Sequence, residues 1–364
     1  MAKVSVKGTH PYDVLVRRGL LGECGKIFRQ QDICGNVCIV TEETVAPFYL
    51  QTVQKSLVEA GYNVSSIVLK PGECSKNLMS LQQILSFLAK EGLDRKDTLV
   101  ALGGGVIGDI TGFVAGIYLR GIAYVQMPTT LLAAVDSSVG GKTAIDLPEG
   151  KNLAGLFWHP DLVITDLDCF QTLPFKVYRQ GMAEVVKTAI LAGGELFSLC
   201  EKATCDCDSD MLETMVTACV TYKAQVVESD FTEQGVRKLL NLGHTPAHVI
   251  EKRSGYTISH GEAVARGLYL MTAVAYVRNE LSEETAERIF GLLDKEKFPD
   301  DMVCLAKEFA EEAQYDKKRK GDSISLILPE GIGNCVIKEV PITELEKLYD
   351  GAMRYLYERN NKSR

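Results

Sequence analysis

Short apolar runs alternate with amphipathic stretches through the first half of the chain, and this alternation constrains the fold more than any other feature. Val37–Thr41 and Val64–Val68 are β-rich runs on either side of an amphipathic stretch at residues 51–60. A second helical pattern at residues 80–91 leads to the mostly apolar run Asp97–Leu102. This repetition of strand, helix and strand is typical of a parallel sheet covered by helices. The pattern therefore predicts an α/β N-terminal domain.

After Pro174 the pattern becomes helical, and β-branched runs are rare until Ser323–Leu328. Leu173 marks a boundary because the residue before a proline is pushed out of the helical region. A chain of 364 residues is long enough for two cores, since single cores usually stop growing at about 250–300 residues. We predict two domains, residues 1–173 and 174–364. The second is expected to be mainly α-helical, with helices near residues 175–203, 209–229, 235–254, 260–280, 282–294 and 300–313.

The charge of the chain argues against one class of partner. A net charge of −8 does not suit a general nucleic-acid surface, which would need a basic stripe. No run of about 20 apolar residues is present, so the sequence predicts no membrane span. The N-terminal residues lack the apolar core of a signal peptide. We expect a cytoplasmic protein of ordinary globular composition.

A glycine-rich segment, Gly103–Asp109, follows the predicted strand and precedes a helical pattern. Its backbone N–H groups could approach a pyrophosphate closely, although the segment differs from the usual G-x-G-x-x-G pattern and a plain tight turn is the alternative. Lys142 and Lys151 lie further on beside glycines and acidic residues, and Asn152 follows directly. Such lysines suit the anchoring of an anionic or polyhydroxylated ligand, and a solvated turn is the alternative.

Ionisable side chains also stand on the apolar helical stretch that begins near Gly181. Glu184 and Lys187 are three residues apart, and an unpaired carboxylate would be costly to bury there. A metal ion would offset that cost, and so would a simple ion pair between the two residues. Further charged and amide side chains lead toward the histidines: Lys223, Glu233, Arg237 and Asn241.

Three of the five histidines of the chain fall in one window, Asn241–Glu262. His244 and His248 are four residues apart, so a helix would place them on one face. There they could bind one metal together, or one could bind a metal while the other transfers a proton. A pair of half-exposed histidines near a helix end is the alternative. The segment Asp316–Gly321 is also rich in charge, and a solvated face is the favoured interpretation there.

The order and spacing of these motifs resemble the 3-dehydroquinate synthase family of sugar-phosphate cyclases over nearly the whole chain. No single motif decides the resemblance, but the set together is specific. The segments that carry it are Gly103–Asp109, Tyr118–Gly121, Pro128–Leu132, Asp136–Asp146, Gly150–Leu153, Gly181–Lys187, Asn241–His248 and His260–Glu262. The resemblance implies a Rossmann-like N-terminal domain that binds NAD. It also implies a helical C-terminal domain that supplies a metal site and most of the substrate site.

The resemblance assigns the metal to one carboxylate and two imidazoles: Glu184, His244 and His260. Zinc is expected, with cobalt as an alternative, and this ligand set leaves coordination positions open for substrate hydroxyls. His248 would instead face the substrate in an acid-base or phosphate-contact role. Where the family usually has Gly-His-Thr-Phe-Gly-His, this chain has proline at position 246 and alanine at 247. Proline is tolerated there if it lies in the first turn of the helix.

The resemblance also implies the NAD-binding positions. Glu42 stands where the family usually has aspartate near the adenosine ribose, and the exchange keeps the charge. The remaining positions are Glu73, Lys76, Gly104, Gly105, Val106, Asp109, Thr129, Thr130, Lys142, Lys151, Cys169, Phe170, Gln171 and Thr172.

The substrate implied by the resemblance is 3-deoxy-D-arabino-heptulosonate 7-phosphate, whose carboxylate and phosphate would need a local cationic pocket in this acidic chain. Arg120 resembles an arginine that reaches the site of the neighbouring subunit, which implies a homodimer. Lys318 is preferred over Lys317 for one of the cations. The implied polar pocket is Asp136, Lys142, Asn152, Lys187, Lys223, Arg237, Asn241, His248 and Lys318.

The implied reaction recycles NAD within each turnover. Oxidation at C5, loss of phosphate, reduction, ring opening and an aldol closure would give 3-dehydroquinate, an intermediate of the shikimate pathway of aromatic amino acid biosynthesis. Three alternatives stay open. A related sugar-phosphate cyclase would close a different ring, an NAD- and metal-dependent polyol dehydrogenase would release NADH stoichiometrically, and a binding protein would catalyse nothing.

Overall fold

The structure is a computed structural model that describes residues 1–8, 10–203, 209–313 and 319–363. The elements of the first part of the chain are β1 (Ala2–Val6), β2 (Tyr12–Arg17), α1 (Cys24–Gln30), β3 (Val37–Glu42), α2 (Ala46–Glu59), β4 (Val64–Leu69), α3 (Leu78–Lys90), β5 (Thr98–Gly103), α4 (Gly105–Ile117), β6 (Ala123–Pro128), β7 (Lys142–Leu147), β8 (Gly150–Phe157) and β9 (Leu162–Asp166). Those of the remaining part are α5 (Phe175–Ala192), α6 (Gly194–Lys202), α7 (Ser209–Ser229), α8 (His244–Arg253), α9 (His260–Val277), α10 (Glu283–Lys295), α11 (Ala306–Ala313), β10 (Arg319–Lys320), β11 (Ser323–Gly331), β12 (Asn334–Pro341) and α12 (Ile342–Ser363).

A seven-stranded sheet lies in the first of two compact units, which contains Met1–Tyr178 and Leu212–Glu228. Its strand order is β1-β2-β9-β6-β5-β3-β4, in which β1 and β2 are antiparallel and the other neighbours are parallel. The apolar runs explain this arrangement. Every residue of β5 is buried, as expected for a parallel strand that is covered on both faces. The predicted parallel sheet is confirmed.

The chain changes direction across the sheet at β3. β4 lies on one side of β3, whereas β5 and then β6 lie on the other side. In open α/β sheets, ligands bind at such a switch point, outside the carboxyl ends of the strands. These ends are Glu42 in β3 and Gly103 in β5. Glu42 and the glycine-rich turn after Gly103 therefore lie at the carboxyl ends of neighbouring strands, where this kind of fold accepts a ligand.

Glycines recur along one face of α4 at intervals of four residues, at Gly108, Gly112 and Gly116. A Cβ atom on Gly112 would lie 2.5 Å from Cγ2 of Thr143, and one on Gly116 would lie 2.7 Å from Cδ1 of Leu156. These two neighbours belong to the antiparallel hairpin of β7 and β8. The glycine face therefore allows close packing of the hairpin that carries the two predicted lysines and Asn152.

The second unit, Arg179–Met211 with Ser229–Arg364, is mainly helical and includes a small sheet. Its α9 helix is buried almost throughout, from Gly261 to Ala275. β11 is the middle strand of an antiparallel sheet with β10 and β12, and the predicted apolar run forms its first part. The predicted helical character of this part of the chain is confirmed.

Two long helices predicted in this region are each interrupted by a glycine. The stretch predicted at residues 175–203 forms α5 and α6, which are separated at Gly193 with φ of 63°. The stretch predicted at residues 235–254 forms a short 3-10 helix, Val236–Asn241, and then α8, with Gly243 between them at φ of 78°. A left-handed backbone ends a right-handed helix, and periodicity of apolar residues does not report it.

Most of α7 groups with the first unit although it follows α5 and α6 in the chain. The backbone N–H groups of Ala2, the first residue of β1, and of Lys7, which follows β1, donate to carboxylates of α7 at 3.0 Å and 2.7 Å. The acceptors are Glu213 and Glu228. The predicted domains, residues 1–173 and 174–364, stay a prediction.

Candidate active site

Three side chains that are far apart in sequence meet in the second unit. Glu184 lies on α5, His244 is the first residue of α8, and His260 is the first residue of α9. Oε1 of Glu184 lies 3.4 Å from Nε2 of His260 and 3.8 Å from Nε2 of His244. One ligand atom from each residue lies within 4.8 Å of the others, so the group could hold a metal ion.

The burial of the Glu184 carboxylate favours a cation beside it, because a buried charge without a partner is costly. Its side chain is 0% exposed, and neither carboxylate oxygen has a hydrogen-bond partner of good geometry among the described residues. Lys187 forms an ion pair with Oε2 one turn along α5, so the predicted pairing exists. Oε1 nevertheless faces the two imidazoles. A divalent metal fits this donor set, because carboxylate and imidazole are usual ligands of zinc and of similar transition metals.

In both imidazole rings, the nitrogen that faces away from Glu184 lies close to an oxygen acceptor. Nδ1 of His244 lies 3.1 Å from the carbonyl oxygen of Leu242, and Nδ1 of His260 lies 3.3 Å from Oε2 of Glu251. When Nδ1 carries the proton, Nε2 presents its lone pair to the carboxylate. Metal-bound histidines are commonly oriented in this way.

The local charges act on the two rings in opposite directions. Burial, with a further contribution from Lys187, holds the pKa of His244 well below its usual value, so this ring is neutral. Burial also lowers the pKa of His260, but the carboxylates of Glu184 and Glu251 outweigh it and raise the pKa to about 10. In the absence of a metal, His260 therefore carries a proton that a metal ion would replace.

His248 is not part of the group that could hold a metal. Its ring centroid lies 5.9 Å from that of His244, edge to face, and its side chain is exposed. His244 and His248, although four residues apart on one helix, therefore do not share the candidate metal site. His244 is grouped with Glu184 and His260 instead. Pro246 lies in the first turn of α8, where its missing N–H removes no helical hydrogen bond.

A second polar group surrounds Lys76 in the first unit. Its Nζ lies 2.6 Å from Oδ2 of Asp109 and also contacts Oδ1 of Asn152. Asp146 donates its N–H to the backbone oxygen of Lys76 at 2.7 Å and accepts the N–H of Asn152 at 2.8 Å. Burial lowers the pKa of Lys76, but the ion pair with Asp109 outweighs it, so the pKa is raised. The structure thus brings two predicted NAD residues together with one predicted substrate residue.

Other predicted NAD residues lie at the carboxyl ends of the strands. Glu42 is the last residue of β3, and Gly104 follows β5 directly. The N–H of Thr129, after β6, donates to the oxygen of Gly103 at 3.0 Å. A Cβ atom on Gly104 would lie 3.1 Å from Cγ2 of Thr130, so a larger residue would crowd this turn. The glycine-rich turn leads into α4 at the switch point, and Gly104, Gly105 and Val106 are partly exposed there.

The segment after β9 contributes differently from residue to residue. The Cys169 side chain is 1% exposed, and burial raises the pKa of its thiol, so this side chain belongs to the core. Its backbone oxygen accepts the hydroxyl of Tyr49 at 3.2 Å. Phe170 is buried as well, whereas Gln171 and Thr172 are exposed. We therefore expect contacts with NAD from this segment through its backbone and its exposed residues.

The predicted substrate residues are divided between the units. Those in the first unit are Asp136, Lys142, Asn152 and Lys223, and those in the second are Lys187, Arg237, Asn241 and His248. Lys317 and Lys318 lie outside the described residues. In the first unit, Nζ of Lys223 pairs with the carboxylate of Asp136 and lies 2.6 Å from its backbone oxygen. Two predicted residues of opposite charge therefore hold each other in place.

In the second unit, Arg237 is 1% exposed, and its Nη1 donates to the oxygen of Phe231 at 2.7 Å. Nδ2 of Asn241 donates to Oε1 of Glu233. Arg120, in the first unit, is exposed and has a left-handed φ of 71°. Asp146 and Glu251 were not among the predicted site residues. For Glu251 a signal existed in the sequence, because it follows His244 by seven residues, about two turns of a helix.

Two family models match adjacent parts of the chain. The model described as 3-dehydroquinate synthase N-terminal matches residues 66–180, and the model described as 3-dehydroquinate synthase C-terminal matches residues 181–319. The chain belongs to the 3-dehydroquinate synthase family. Relatives with this name are similar along nearly the whole chain. The 3-dehydroquinate synthase of Pelobacter propionicus is 41% identical over 347 residues, which are 93% of this chain and 96% of the relative.

A second 3-dehydroquinate synthase, from a Shewanella species, is 42% identical over 352 residues, which are 94% of this chain and 96% of the relative. One similar solved structure is that of 2-epi-5-epi-valiolone synthase from Streptomyces hygroscopicus, with NAD+ and Zn2+ bound. Its TM-score with this chain is 0.86 at 25% identity, and the match covers 98% of this chain and 99% of that chain. The higher identity with the 3-dehydroquinate synthases favours that branch of the cyclases over a valiolone synthase.

Proposed function

We propose that this chain is a carbon-oxygen lyase that converts 3-deoxy-D-arabino-heptulosonate 7-phosphate into 3-dehydroquinate and phosphate. The observation that carries the proposal is the group of Glu184, His244 and His260 in a chain of this family. One ligand atom from each of these residues lies within 4.8 Å of the other two. A buried carboxylate that faces two imidazoles suits a catalytic metal with coordination positions left for a substrate.

The proposal includes NAD and a divalent metal. When bound, NAD supplies a reversible acceptor of hydride, and zinc or cobalt supplies a Lewis acid that lowers the pKa of a substrate hydroxyl. The metal would be held by Glu184, His244 and His260. NAD would lie at the carboxyl ends of β3, β5 and β6, close to Lys76 and Asp109. The bound NAD+ and Zn2+ in the similar valiolone synthase support both assignments.

The remaining charged residues would bind and orient the substrate. Lys142 and Arg237 would position the phosphate and stabilise charge as it leaves, since preorganised cations act most strongly where water is excluded. Lys223 is already oriented by Asp136. His248 would hold or move a proton at a substrate oxygen, a role that suits an imidazole because its ordinary pKa is near neutrality.

The proposal extends to the assembly. Arg120 would reach the site of a second copy, which requires a homodimer, and the protein would act in the cytoplasm. No helix among the described residues is long and apolar enough to cross a membrane. Sedimentation of the purified chain measures the mass of the assembly, and an Arg120→Ala variant that stays dimeric but loses activity would support the contact.

A phosphate-release assay tests the proposed reaction. The purified chain with the heptulosonate phosphate, NAD and Zn2+ should release one phosphate for each 3-dehydroquinate formed. A chelator should abolish the activity, and Zn2+ or Co2+ should restore it. NADH should not accumulate, because it is reoxidised within each turnover. Absence of phosphate release from metal-loaded protein would contradict the proposal, and NADH released in step with substrate oxidation would indicate a polyol dehydrogenase.

A further inference from the structure

Glu251 is a buried carboxylate that belongs neither to the proposed metal ligands nor to the proposed substrate and NAD residues. It lies on α8 seven residues after His244, so the two side chains share a face of the helix. Its Oε2 lies 3.3 Å from Nδ1 of His260, and its side chain is 7% exposed. A carboxylate removed from water needs a donor or a cation as partner, and here one partner is the ring of a proposed metal ligand.

His260 depends on a side-chain contact more than His244 does. The side chain of His244 is 11% exposed, and its Nδ1 meets a backbone carbonyl, so packing and main chain together orient the ring. The side chain of His260 is 36% exposed. Packing therefore restricts its ring less, and the carboxylate of Glu251 is the contact that orients Nδ1.

We propose that Glu251 is a positioning residue for His260. By accepting the Nδ1–H, it turns the ring so that Nε2 faces the metal position beside Glu184, and it strengthens the imidazole as an electron donor. The proposal rests on the proposed function, since it presumes that His260 binds a metal. Removing such a partner of a metal-bound histidine typically weakens metal binding by about 10–100-fold.

A role in packing alone would give a different result. Glutamine has nearly the same shape as glutamate, so E251Q would keep the packing but replace a charged acceptor with a weaker neutral one. If Glu251 only fills space, E251Q should bind metal like the wild type. If Glu251 positions His260 through its charge, E251Q should lose affinity although it folds normally.

Metal binding by the full chain, measured without substrate, is the test. Dissociation constants for Zn2+ and Co2+ are obtained by competition with a chromophoric chelator, and the visible spectrum of the Co2+ form reports the geometry of the ligands. We expect Co2+ affinity to fall by about 10-fold in E251Q and by nearer 100-fold in E251A, with a changed Co2+ spectrum. E251D, which keeps the charge at a shorter reach, should lose less affinity than E251A.

Glu312 provides a matched control. It lies on α11, and its Oε2 pairs with Nζ of Lys252, the residue that follows Glu251 on α8, at 2.6 Å. E312Q therefore removes a carboxylate that pairs with the same helix but leaves the Nδ1 contact of His260 intact. We expect E312Q to keep the affinity and the Co2+ spectrum of the wild type.

Wild-type affinity and an unchanged spectrum in folded E251Q and E251A would overturn the proposal. Equal losses in E251Q and E312Q would overturn it as well, because the effect would then not belong to the contact with His260. Circular dichroism of the metal-free variants establishes that they are folded. Phosphate release by the wild type is scored separately, so that failure there counts against the proposed function and insensitivity to substitution at Glu251 counts only against this role.

Discussion

Glu184 shows how one buried charge can restrict what a site does. Its carboxylate lies on an apolar helix, 0% exposed, beside one lysine and two imidazoles. The spacing of Glu184 and Lys187 left an ion pair as the alternative to a metal site. The structure contains the ion pair at one oxygen and two convergent Nε2 atoms at the other. The two interpretations therefore apply together, each to one side of the same carboxylate.

Substitution of a proposed ligand should remove metal and activity together. We expect E184Q and H260A to lower Zn2+ affinity by more than the roughly 10–100-fold effect of a supporting residue, since each removes a ligand outright. Zinc content after dialysis and phosphate release are the measurements. H10Q is the control, because His10 lies in the first unit and pairs with Asp161. Full zinc occupancy in both ligand variants would refute the assignment.

The raised pKa of His260 predicts that metal binding releases a proton. Burial lowers this pKa, but Glu184 and Glu251 raise it to about 10, above the ordinary value of about 6.5. The charged ring therefore stabilises the metal-free fold fully below about pH 6.5, and this contribution is lost as the pH rises through about 10. Because the metal must displace the proton, apparent Co2+ affinity should rise by up to about tenfold per pH unit from pH 6.5 to 8.

Calorimetry in buffers of different ionisation enthalpy measures this proton release directly. About one proton should leave for each Co2+ bound near pH 7.5. H260A should bind Co2+ weakly and without this proton. An affinity that does not change with pH would show that His260 is neutral in the metal-free protein.

At the scale of elements, two glycines of α9 explain how the three ligands meet. A Cβ atom on Gly267 would lie 1.9 Å from the oxygen of Gly243, directly before His244, and one on Gly261 would lie 2.4 Å from the oxygen of Gln180 on α5. α9 can therefore approach both the start of α8 and the helix that carries Glu184. This close approach of the backbones is required for the three ligands to meet.

A methyl group at Gly267 should separate these helices. We expect G267A to lower the free energy of unfolding by about 1–3 kcal/mol, the usual cost of overpacking, and to weaken Co2+ binding. Gly291 on α10 is the matched control, because a Cβ atom there meets nothing within 4 Å. G291A should raise the free energy of unfolding by about 0.5–1 kcal/mol through helix propensity. Urea unfolding measures both, and equal effects of the two substitutions would contradict the packing argument.

Local patterns predicted the elements of this chain better than their ends. The patterns located β3, β5 and β11 because continuous burial on a strand leaves a short run rich in apolar residues. They also located β4, although most of that strand is only partly buried. The predicted helix at residues 235–254 was instead divided at Gly243, whose φ of 78° ends the helical backbone. Apolar periodicity continues across such a residue, so the break is not visible in the spacing.

At the scale of the whole molecule, the residues predicted to bind NAD and those predicted to bind the metal lie in different compact units. The residues around Lys76 and Asp109 belong to the first unit, and Glu184, His244 and His260 belong to the second. A ligand stabilises the part of a protein that binds it, by about 2.7 kcal/mol at a concentration 100 times its dissociation constant. The two cofactors should therefore protect different stretches of the chain.

Hydrogen exchange tests this division. Zn2+ added to the metal-free protein should slow exchange in α5, α8 and α9, whereas NAD should slow it in β5 and α4. E184Q should abolish the Zn2+ effect and keep the NAD effect. Protection by Zn2+ that is confined to the first unit would contradict the proposed metal site.

The sequence by itself determined the parallel sheet, the glycine-rich turn after β5 and the helical second half, because each leaves a local pattern of apolar residues or glycines. Its motifs also carried the family resemblance, and through it the names of the proposed ligands. The structure places the three residues named by the resemblance, Glu184, His244 and His260, close enough to share a metal ion. Only the tertiary structure decided that Lys76 meets Asp109 and Asn152, and that Glu251 contacts His260. These contacts join separate elements, and their distances depend on the close packing of backbones, which local spacing does not encode.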